Sequence, residues 1–317
     1  PEVPLSLGLA DRLHAAGVRC FGPVAAAARI ESSKAFSKAL MRDLGLPTAD
    51  FEVFTDADAA EAYVHAVGAP IVVKASGLAA GKGAIVCQTE AEACEAIHLI
   101  IRQRAFGAAG DEVIVEEFLP GLEVSVLAFS DGVTVCPMIQ AQDHKAIYDG
   151  DRGPNTGGMG CYAPAPLLSR EQMAEVTRLV LQPTIDGLRA LGSPYVGVLY
   201  AGLMISGNAI KVLEFNCRFG DPETQAILPL LKTDLLDVFD ACIDGRLDQI
   251  SLEWAEGTTV CVVMASEGYP GHYRKGLPIR GLTQADGLAD TVIFHAGTRR
   301  VGEGIVTDGG RVLGVTA

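Results

Sequence analysis

The sequence is poor in positive charge. Lys and Arg number 25 against 39 Asp and Glu, which gives a formal net charge of −14. Proteins bind nucleic acids through an excess of Lys and Arg that neutralises phosphates, so this balance predicts no nucleic-acid partner. An anionic substrate would need a local basic patch inside an acidic protein.

The sequence also lacks long apolar runs and paired cysteines. Its longest apolar run, residues 195–205, is too short to span a bilayer, and no basic N-terminal region precedes an apolar signal core. The eight cysteines are scattered without a Cys-x-x-Cys pair, which argues against a zinc site and against a disulfide framework. We therefore predict a cytoplasmic protein with reduced thiols and no membrane partner.

The sequence does have the length and apolar content for a large core. Its 317 residues are 49% hydrophobic and 20% charged, a composition typical of a globular chain with two or more domains. The chain begins at Pro1 without a starting Met and ends on the strand-like segment 311–317. We expect both ends to be cut within a longer protein.

An acid, an amide and a guanidinium fall on one face of a predicted strand. Residues 209–215 alternate and are rich in apolar side chains, so Glu214, Asn216 and Arg218 share a face. Oxygen ligands suit Mg²⁺, and Arg binds phosphate or carboxylate through two hydrogen bonds. The pattern indicates the metal end of a nucleotide site. A strand-end salt bridge followed by a Gly-Asp-Pro turn is the alternative.

Two lysines occupy positions that need an explanation. Ser32 or Ser33 predicts the N-cap of a helix over 34–44, and Lys34 then lies in the first turn, where the helix dipole disfavours a cation. A nearby anion would explain Lys34, and so would a solvated surface position. Lys74 lies in the apolar strand 69–75 and needs a partner, because an unpaired buried ammonium is costly.

The glycine-rich stretch 77–83 joins two predicted strands. It differs from a Walker phosphate loop, because its glycine spacing is one residue short and it leads into the strand 84–88 instead of a helix. Its backbone amides and Lys82 could close over phosphates, whereas the simpler interpretation is a tight hairpin.

Two further segments are candidates for ligand contact. Residues 113–128 predict a strand, a sharp turn and a strand; the backbone of 116–119 could face an adenine edge and Glu123 a ribose, although two strands at a domain junction are the simpler interpretation. Residues 143–160 are polar, and unstructured loops longer than about 12 to 15 residues tend to be functional. We predict a substrate-facing lid there.

The other segments complete a mixed pattern of helices and strands. A helix over 5–16 and a strand over 18–21 indicate the tail of an α/β unit, and the pattern beyond residue 250 is strand-rich. We further predict a helix capped by Thr55 with Asp58 and ending at Val67, a helix from Ser169 with Gln172 to about Leu191 that Pro183 kinks, a helix over 233–243 and a closing hairpin around 308–310.

In this order the motifs resemble those of the ATP-grasp ligases. The resemblance spans essentially the whole chain, and the ordered set is more specific than any single stretch. The residues that carry it are 21–23, 33–36, 71–75, 77–83, 116–118, 142–145, 153–160, 199–204 and 213–225.

The resemblance implies an α/β and α+β multidomain chain, in which an ATP-grasp fold is flanked by the end of an N-terminal doubly wound domain and by a C-terminal strand-rich domain. It divides the chain into an N-terminal remnant, a small subdomain with the glycine loop, a large subdomain with the metal site and a truncated C-terminal domain, over residues 1–50, 51–123, 124–250 and 251–317. Because a βαβ unit needs about 30 residues or more, roughly 60 to 75 residues are expected to be absent in front.

The resemblance also implies roles for individual residues. The ATP-binding positions are Lys34, Lys74, Gly77, Gly81, Lys82, Gly83, Glu116, Glu117, Phe118, Leu119 and Glu123. The substrate-binding positions are Asp143, His144, Lys145, Asn155, Gly158 and Arg218, with Arg218 and Asp143 as catalytic candidates, and the metal ligands are Glu214 and Asn216. Many ATP-grasp enzymes carry another metal-binding carboxylate on the preceding strand, and residues 200–204 contain none.

Within the family, the sequence is most similar to members that join glycine to 5-phosphoribosylamine in purine biosynthesis. The resemblance implies ATP, Mg²⁺ or Mn²⁺, glycine and 5-phosphoribosylamine as ligands, a glycyl phosphate intermediate, and a monomer or weak homodimer. The alternatives are ligation of a different acid and amine, and an inactive nucleotide-binding fragment. A Rossmann dehydrogenase is excluded, because no strand, GxGxxG motif and helix follow one another.

Overall fold

The computed structural model describes residues 2–79 and 83–317. The chain folds into two compact units, each assembled from separate stretches of sequence. Unit 1 comprises Pro1–Met138, Leu167–Phe219 and Leu235–Ser251, and unit 2 comprises Ile139–Pro166, Gly220–Asp234 and Leu252–Ala317. The division into four domains stays a prediction, because these two units group the chain more coarsely.

Helices and strands alternate through the first part of the chain, and strands dominate its end. The helices are α1 (Glu2–Ser6), α2 (Leu9–Ala15), α3 (Ala25–Ser32), α4 (Lys34–Asp43), α5 (Ala57–Val67), α6 (Glu90–Ile97), α7 (Arg170–Val176), α8 (Gln182–Ala190), α9 (Glu223–Ile227), α10 (Leu235–Ile243) and α11 (Leu282–Asp286). The strands are β1 (Phe51–Phe54), β2 (Ile71–Ala75), β3 (Ala84–Cys87), β4 (Val113–Glu117), β5 (Leu122–Asp131), β6 (Val135–Pro137), β7 (Gln142–Asp143), β8 (Ala146–Tyr148), β9 (Arg152–Asn155), β10 (Gly160–Ala163), β11 (Val196–Ser206), β12 (Ala209–Asn216), β13 (Thr259–Ala265), β14 (Pro278–Ile279), β15 (Val292–His295), β16 (Thr298–Val301), β17 (Gly304–Thr307) and β18 (Arg311–Thr316).

Unit 1 contains two antiparallel sheets and the helices that pack on them. One sheet has the strand order β1-β4-β2-β3, and the other has the order β12-β11-β5-β6. Strand β2 is buried along its whole length, because it lies between β4 and β3 and its apolar residues pack with those of α5 and α6. A strand in this position gives any charged residue it carries a fixed and poorly solvated place.

Unit 2 is strand-rich, as the pattern beyond residue 250 predicted. Its larger sheet has the order β15-β18-β13-β10-β7, and a smaller one has the order β14-β17-β16. Strands β8 and β9 pair with each other as a separate hairpin. Helix α9 packs against β10 and β13 of the larger sheet.

The N-terminal predictions are partly wrong. The expected helix over 5–16 is two helices, because Gly8 between α1 and α2 takes a left-handed conformation with φ of 79°. The expected strand over 18–21 is not formed, since a strand needs a hydrogen-bonded neighbour and none of the described strands pairs with this segment. Phe21 instead stacks on Phe239 with ring centroids 4.2 Å apart.

The predicted helix caps fare better. Ser33 caps α4 as expected, whereas α5 is capped by Asp56, whose side chain accepts from the backbone N–H of Ala59, and not by Thr55. Both Thr55 and Asp56 are good capping residues, and the sequence did not distinguish them. Ser169 and Gln172 form the predicted capping box of α7. A π-helical turn over Thr177–Leu181 separates α7 from α8, and Pro183 lies in the first turn of α8.

Two predictions about connections are also wrong. The segment 143–160 is not a single irregular loop, because it contains the β8–β9 hairpin and ends by entering β10. Residues 308–310 are not the turn of a hairpin either. They join β17 to β18, and these strands belong to different sheets.

Along the described part of the chain, none of the helices combines the length and the apolar character that crossing a membrane requires.

Candidate functional site

Helix α4 begins beside the end of strand β2. Ser33 caps the helix, and Ser76, the residue after β2, accepts from its first two N–H groups. The backbone N–H of Lys34 donates to the carbonyl of Ser76 at 2.7 Å, and the backbone N–H of Ala35 donates to the Ser76 hydroxyl at 3.2 Å. The Lys34 ammonium in turn donates to the carbonyl of Gly77 at 3.3 Å. These bonds hold the first turn of α4 against the strand that carries Lys74.

Lys74 was predicted to need a partner, and the structure provides Glu116. In the β2–β4 ladder Lys74 lies opposite Ile114 and Val72 lies opposite Glu116, so the acid and the lysine are diagonal neighbours on one face. Glu116 pairs through Oε1 with Lys74 and through Oε2 with Lys38 of α4, whose Nζ is 2.7 Å away. The three residues are buried, with exposed fractions of 7% for Lys74 and 3% for Glu116 and Lys38.

The charges of this cluster change the acidity of its members. Burial opposes ionisation of Glu116, but the charges of Lys74 and Lys38 outweigh it and lower the pKa of the acid. Burial lowers the pKa of Lys38 and of Lys34. For Lys34 the nearby Glu214 opposes that shift in pKa and Lys74 adds to it. Lys34 therefore interacts electrostatically with both Glu214 and Lys74 within unit 1.

A β-bulge in β12 shapes the face that carries Glu214. Glu214 lies opposite Gly202 of β11, and the pairing shifts by one residue between Gly202 and Leu203. Strict alternation would place Lys211 and Glu214 on opposite faces of the strand, because they are three residues apart. The extra residue of the bulge brings both to the same face, in line with Asn216.

The predicted metal ligands offer oxygen donors. Glu214 and Asn216 lie opposite Gly202 and Tyr200, and the Tyr200 hydroxyl is 2.8 Å from the Ser125 hydroxyl. A carboxylate oxygen and an amide oxygen on one face are the donor types that Mg²⁺ and Mn²⁺ take. The residues present therefore fit a hard cation. Among the described residues, no group of three or more His, Cys, Asp or Glu side chains is arranged to hold a metal.

Glu117, at the end of β4, is fixed by contacts from two directions. Its N–H donates to the carbonyl of Asp50 at 2.8 Å, and its Oε2 lies 2.7 Å from the Lys211 ammonium. The hydrogen bond from Lys211 lowers the pKa of Glu117. This ion pair connects β12, which carries the predicted metal ligands, to β4, whose end is predicted to contact adenine.

The remaining nucleotide-binding candidates lie near these residues along the chain. Phe118 and Leu119 follow β4 directly, and Leu119 is buried. Glu123 lies in β5 and is half-buried. Their contacts with adenine and ribose stay predictions.

Both described glycines of the 77–83 stretch are needed for close packing. A Cβ on Gly77 would lie 2.6 Å from Cα of Ala109, and a Cβ on Gly83 would lie 2.6 Å from Cβ of Ala79. Contacts this short would force the backbone to move. The candidates Gly81 and Lys82 lie outside the described residues.

Arg218 lies beside acids in unit 1. Its Nε is 3.4 Å from Glu31 Oε1 and 3.5 Å from Glu2 Oε2. The other Glu31 oxygen accepts from the backbone N–H of Cys217 at 2.7 Å. Burial raises the pKa of Glu31, against the lowering effect of Cys217 and Arg218. The predicted clamp on phosphate or carboxylate is not tested by these contacts.

The substrate-binding candidates in the segment 143–160 belong to unit 2, where two of them meet. Gly158 has φ of 106°, and a Cβ there would lie 2.7 Å from the Asp143 carboxylate and 2.4 Å from Pro222. The carbonyl of Lys145 accepts from both the backbone N–H and the hydroxyl of Thr156, each at 2.8 Å. The start of the segment is therefore bonded to its end.

His144 and Asn155 are held by other contacts in the same unit. His144 exchanges backbone hydrogen bonds with Met159 and Gly160, and its ring lies 3.5 Å from Asp151. Asn155 is exposed and pairs with Ala146 in the β8–β9 hairpin.

Sequence reasoning missed three residues that organise these regions. Lys38 closes the buried pair at Glu116, and Lys211 holds Glu117. In unit 2, Arg311 donates to the carbonyl of Gly157 at 2.5 Å and to the Asp221 carboxylate at 2.8 Å. Only Lys38 had a usable signal, because it follows Lys34 by four residues and so lies on the same face of α4. The partners of Lys211 and Arg311 are distant in sequence.

Comparison with known families gives matches over most of the chain. Residues 32–224 match the phosphoribosylglycinamide synthetase ATP-grasp (A) domain, and residues 259–317 match the phosphoribosylglycinamide synthetase C domain. These matches confirm the predicted ATP-grasp fold and the separate C-terminal region.

The similar proteins agree with the domain matches. The chain is 56% identical over 319 residues to the trifunctional purine biosynthetic protein adenosine-3 of Gallus gallus, over all of this chain and 32% of that protein. It is 54% identical over 319 residues to the phosphoribosylamine–glycine ligase of Synechocystis sp., over all of this chain and 75% of that protein. The crystal structure of phosphoribosylamine–glycine ligase from Thermotoga maritima superposes with a TM-score of 0.85 at 35% identity, over 94% of this chain and 73% of that one. The chain thus spans about a third of the trifunctional relative and three quarters of the single-function ligase.

Proposed function

Because the chain belongs to the phosphoribosylglycinamide synthetase family, we propose that it joins glycine to 5-phosphoribosylamine with cleavage of ATP. The products are glycinamide ribonucleotide, ADP and phosphate. The observation that carries the proposal is the arrangement in unit 1 in which Glu116 pairs with Lys74 and Lys38 and Ser76 bonds the first turn of α4 to the end of β2. Lys34 lies in that first turn and interacts electrostatically with Glu214. This arrangement supplies cationic groups for a triphosphate and an acid for the cation that accompanies it.

The reaction needs an activated carboxylate, because a carboxylate oxygen is a poor leaving group. A carboxylate oxygen of glycine attacks the γ-phosphorus of ATP, the bond to the β-phosphate oxygen breaks, and ADP leaves. The amine of 5-phosphoribosylamine then attacks the carbonyl carbon of glycyl phosphate. Phosphate departs with the electron pair of the C–O bond, and the nitrogen loses a proton as the amide forms.

The main task of unit 1 is to compensate charge during phosphoryl transfer. The ammonium groups of Lys34 and Lys74 bind the phosphates and offset the charge that develops on the transferred group. Glu214 and Asn216 would hold Mg²⁺ or Mn²⁺, and the ion would supply a compact positive charge beside the phosphates when bound. No side chain has to form a covalent bond to substrate.

The other predicted residues orient the reactants and exclude water. The backbone of 116–119 and the Glu123 carboxylate contact adenine and ribose, and the stretch 77–83 covers the phosphates. Arg218 binds a carboxylate or phosphate of the substrates, and Asp143 holds the amine. Aligned reactants are worth an effective molarity of about 10⁵ M or more, and the segment 143–160 keeps water from glycyl phosphate. The monomeric or weakly dimeric state and the cytoplasmic location remain predictions from the sequence.

The test is glycine-dependent ADP formation by the full-length protein with Glu214→Gln. We expect a loss of about 100-fold or more at limiting Mg²⁺, because the substitution removes a charged metal ligand but keeps its shape. Glu95→Gln is the matched control, since Glu95 is exposed on α6, and it should retain full activity.

Three outcomes would contradict the proposal. Near-normal activity of Glu214→Gln at limiting Mg²⁺ would remove the metal site from the mechanism. ADP release that depends on a different acid or amine would indicate another ligase of the same fold. ATP binding without ADP release by the wild-type full-length protein would indicate a nucleotide-binding module.

A further inference from the structure

A third lysine lies in the buried cluster, and the proposed reaction gives it no task. Lys38 is 3% exposed, and its Nζ lies 2.7 Å from Glu116 Oε2 and donates to the Thr48 hydroxyl at 2.8 Å. An ammonium is rarely buried to this degree unless its partners compensate the lost hydration. The geometry of Glu116 shows what Lys38 can do for the site.

Glu116 divides its charge between two lysines. Its Oε1 pairs with Lys74, and its Oε2 pairs with Lys38. Without Lys38, the whole carboxylate charge would face Lys74 in surroundings where charges are weakly screened. Lys74 would then be drawn towards Glu116, and less of its charge would remain for a phosphate.

Lys38 is also connected to the strand of the metal ligands. The Thr48 hydroxyl that accepts from Lys38 donates to the carbonyl of Val212 at 2.7 Å, and the N–H of Val212 donates to the carbonyl of Pro47 at 2.7 Å. Val212 lies at the register shift of β12, two residues before Glu214. The buried Lys38 ammonium thus contacts Glu116, which pairs with Lys74, and also Thr48, which bonds to β12 at its bulge.

We propose that Lys38 is a positioning residue that shares the charge of Glu116 and thereby leaves Lys74 able to bind the phosphates of ATP. The inference deepens the proposed function and rests on it only in taking ATP as the nucleotide. Lys38 itself does not contact the nucleotide in this scheme.

The experiment measures equilibrium binding of ATP and of AMP, with MgCl₂ present, to the full chain and to Lys38→Met. We expect the Kd for ATP to rise about tenfold or more, because Lys74 loses strength as a donor to the terminal phosphates. The Kd for AMP should change by less than about threefold, since AMP lacks the phosphates that Lys74 would bind. A general loss of structure would weaken both nucleotides equally, and that result would overturn the inference.

The double variant Lys38→Met with Glu116→Gln provides the decisive comparison. Removing the acid as well releases Lys74 from the unshared charge. It leaves in place the contact with adenine, which is proposed for the backbone of 116–119 and not for the Glu116 carboxylate, so the Kd for ATP should return to within about threefold of the wild-type value. If Lys38 only supported the fold, the second substitution would add to the damage. A double variant that folds but binds ATP as weakly as Lys38→Met, or more weakly, would contradict the proposal. The double variant also decides the matter if Lys38→Met alone does not fold.

Lys275→Met is the matched control, because Lys275 is an exposed lysine in unit 2, and it should bind both nucleotides as the wild type does. A Kd for ATP of Lys38→Met within threefold of wild type would overturn the inference while leaving the proposed reaction intact. A wild-type protein that binds ATP, with the predicted loss in Lys38→Met, but performs no ligation would instead contradict the proposed reaction and support the role of Lys38.

Discussion

The two regions that carry the predicted ligand-binding residues are built in different ways. In unit 1 the site is a cluster of buried side-chain charges, in which Glu116 holds Lys74 and Lys38. In unit 2 the segment 143–160 is held mainly by backbone hydrogen bonds and by the guanidinium of Arg311. The exposed fraction of the side chain is 3% for Lys38 and 21% for Arg311, which reflects the same contrast.

The difference teaches which property each region contributes. Buried charges are weakly screened, so the charge cluster of unit 1 would act strongly on the phosphates proposed to bind there. Backbone hydrogen bonds fix the conformation of the segment 143–160 in unit 2, and that conformation determines where its side chains lie. Substitutions that alter charge should matter most in unit 1, and substitutions that alter backbone conformation should matter most in the segment of unit 2.

The largest effect is expected for Lys74→Met in the full-length protein. Removing the proposed phosphate donor and leaving Glu116 paired with Lys38 alone should lower the rate of glycine-dependent ADP formation by about 10²- to 10³-fold. Lys211→Met is the variant to compare, because the ion pair of Lys211 with Glu117 is partly exposed. Its loss should lower the same rate by only about tenfold or less. Equal losses in both variants, measured at saturating glycine, would show that burial does not set the importance of these lysines.

Gly158→Ala probes the backbone of the unit 2 segment. A Cβ there would lie 2.4 Å from Pro222, so we expect a loss of about 1–3 kcal/mol in the free energy of unfolding of unit 2 and weaker binding of glycine. Gly150→Ala is the control, because Gly150 also has a positive φ of 73° but the nearest atom is 3.8 Å away, on Arg152. Thermal unfolding and the KM for glycine distinguish the two variants. Matching effects would mean that backbone strain, and not the contact, is responsible.

The pH dependence of unfolding tests the buried charges of unit 1. The folded-state pKa of Glu116 is lowered from its ordinary value of 4.5, so its contribution to stability is present above that value and is lost as pH falls through the folded pKa. The folded-state pKa of Glu31 is raised, so its contribution is present below pH 4.5 and is lost as pH rises through the folded pKa. Denaturant unfolding of Glu116→Gln and Glu31→Gln against wild type should therefore give differences in stability with opposite pH slopes. Slopes of the same sign would contradict the assigned shifts.

The smallest effect is expected for Arg311→Lys. Lys keeps the charge near Asp221 but cannot reproduce the several N–H groups that Arg311 directs at Gly157 and Asp221. The free energy of unfolding should therefore fall by about 0.5–1 kcal/mol. Hydrogen exchange should become faster in residues 156–160, and ATP binding should remain unchanged. Weaker ATP binding without a change in hydrogen exchange would show that the two regions do not contribute separately.

Local signals in the sequence account for much of the fold. The cap at Ser33, the capping box at Ser169 with Gln172 and the strand predicted over 209–215 depend on neighbouring residues, and each is present in the structure. The prediction of a strand over 18–21 was wrong, because none of the described strands pairs with that segment. The β8–β9 hairpin is present but was not predicted, because its polar residues give no apolar alternation that would indicate a strand.

The candidate site was predictable only in part. Lys34, Lys74 and Glu214 could be selected because each combines an unusual residue type with its local element, and in the structure the charges of Lys74 and Glu214 act on Lys34. The roles of the other candidates, among them Arg218 and Asp143, stay predictions. The bulge that places Lys211 beside Glu214 left no sequence signal, because one extra residue in a ladder is visible only when the partner strand is known.

The sequence by itself determined the order of the elements, the family and the residue types available for a nucleotide site, because these depend on local propensity and on motif order. Only the tertiary structure decided that Glu116 is shared by Lys38 and Lys74, that Thr48 reaches Val212, and that Arg311 bonds to Asp221. Each of these contacts joins residues from separate elements. Their partners are selected by packing and by the need to compensate buried charge and polar groups, and neither is contained in any single stretch of the chain.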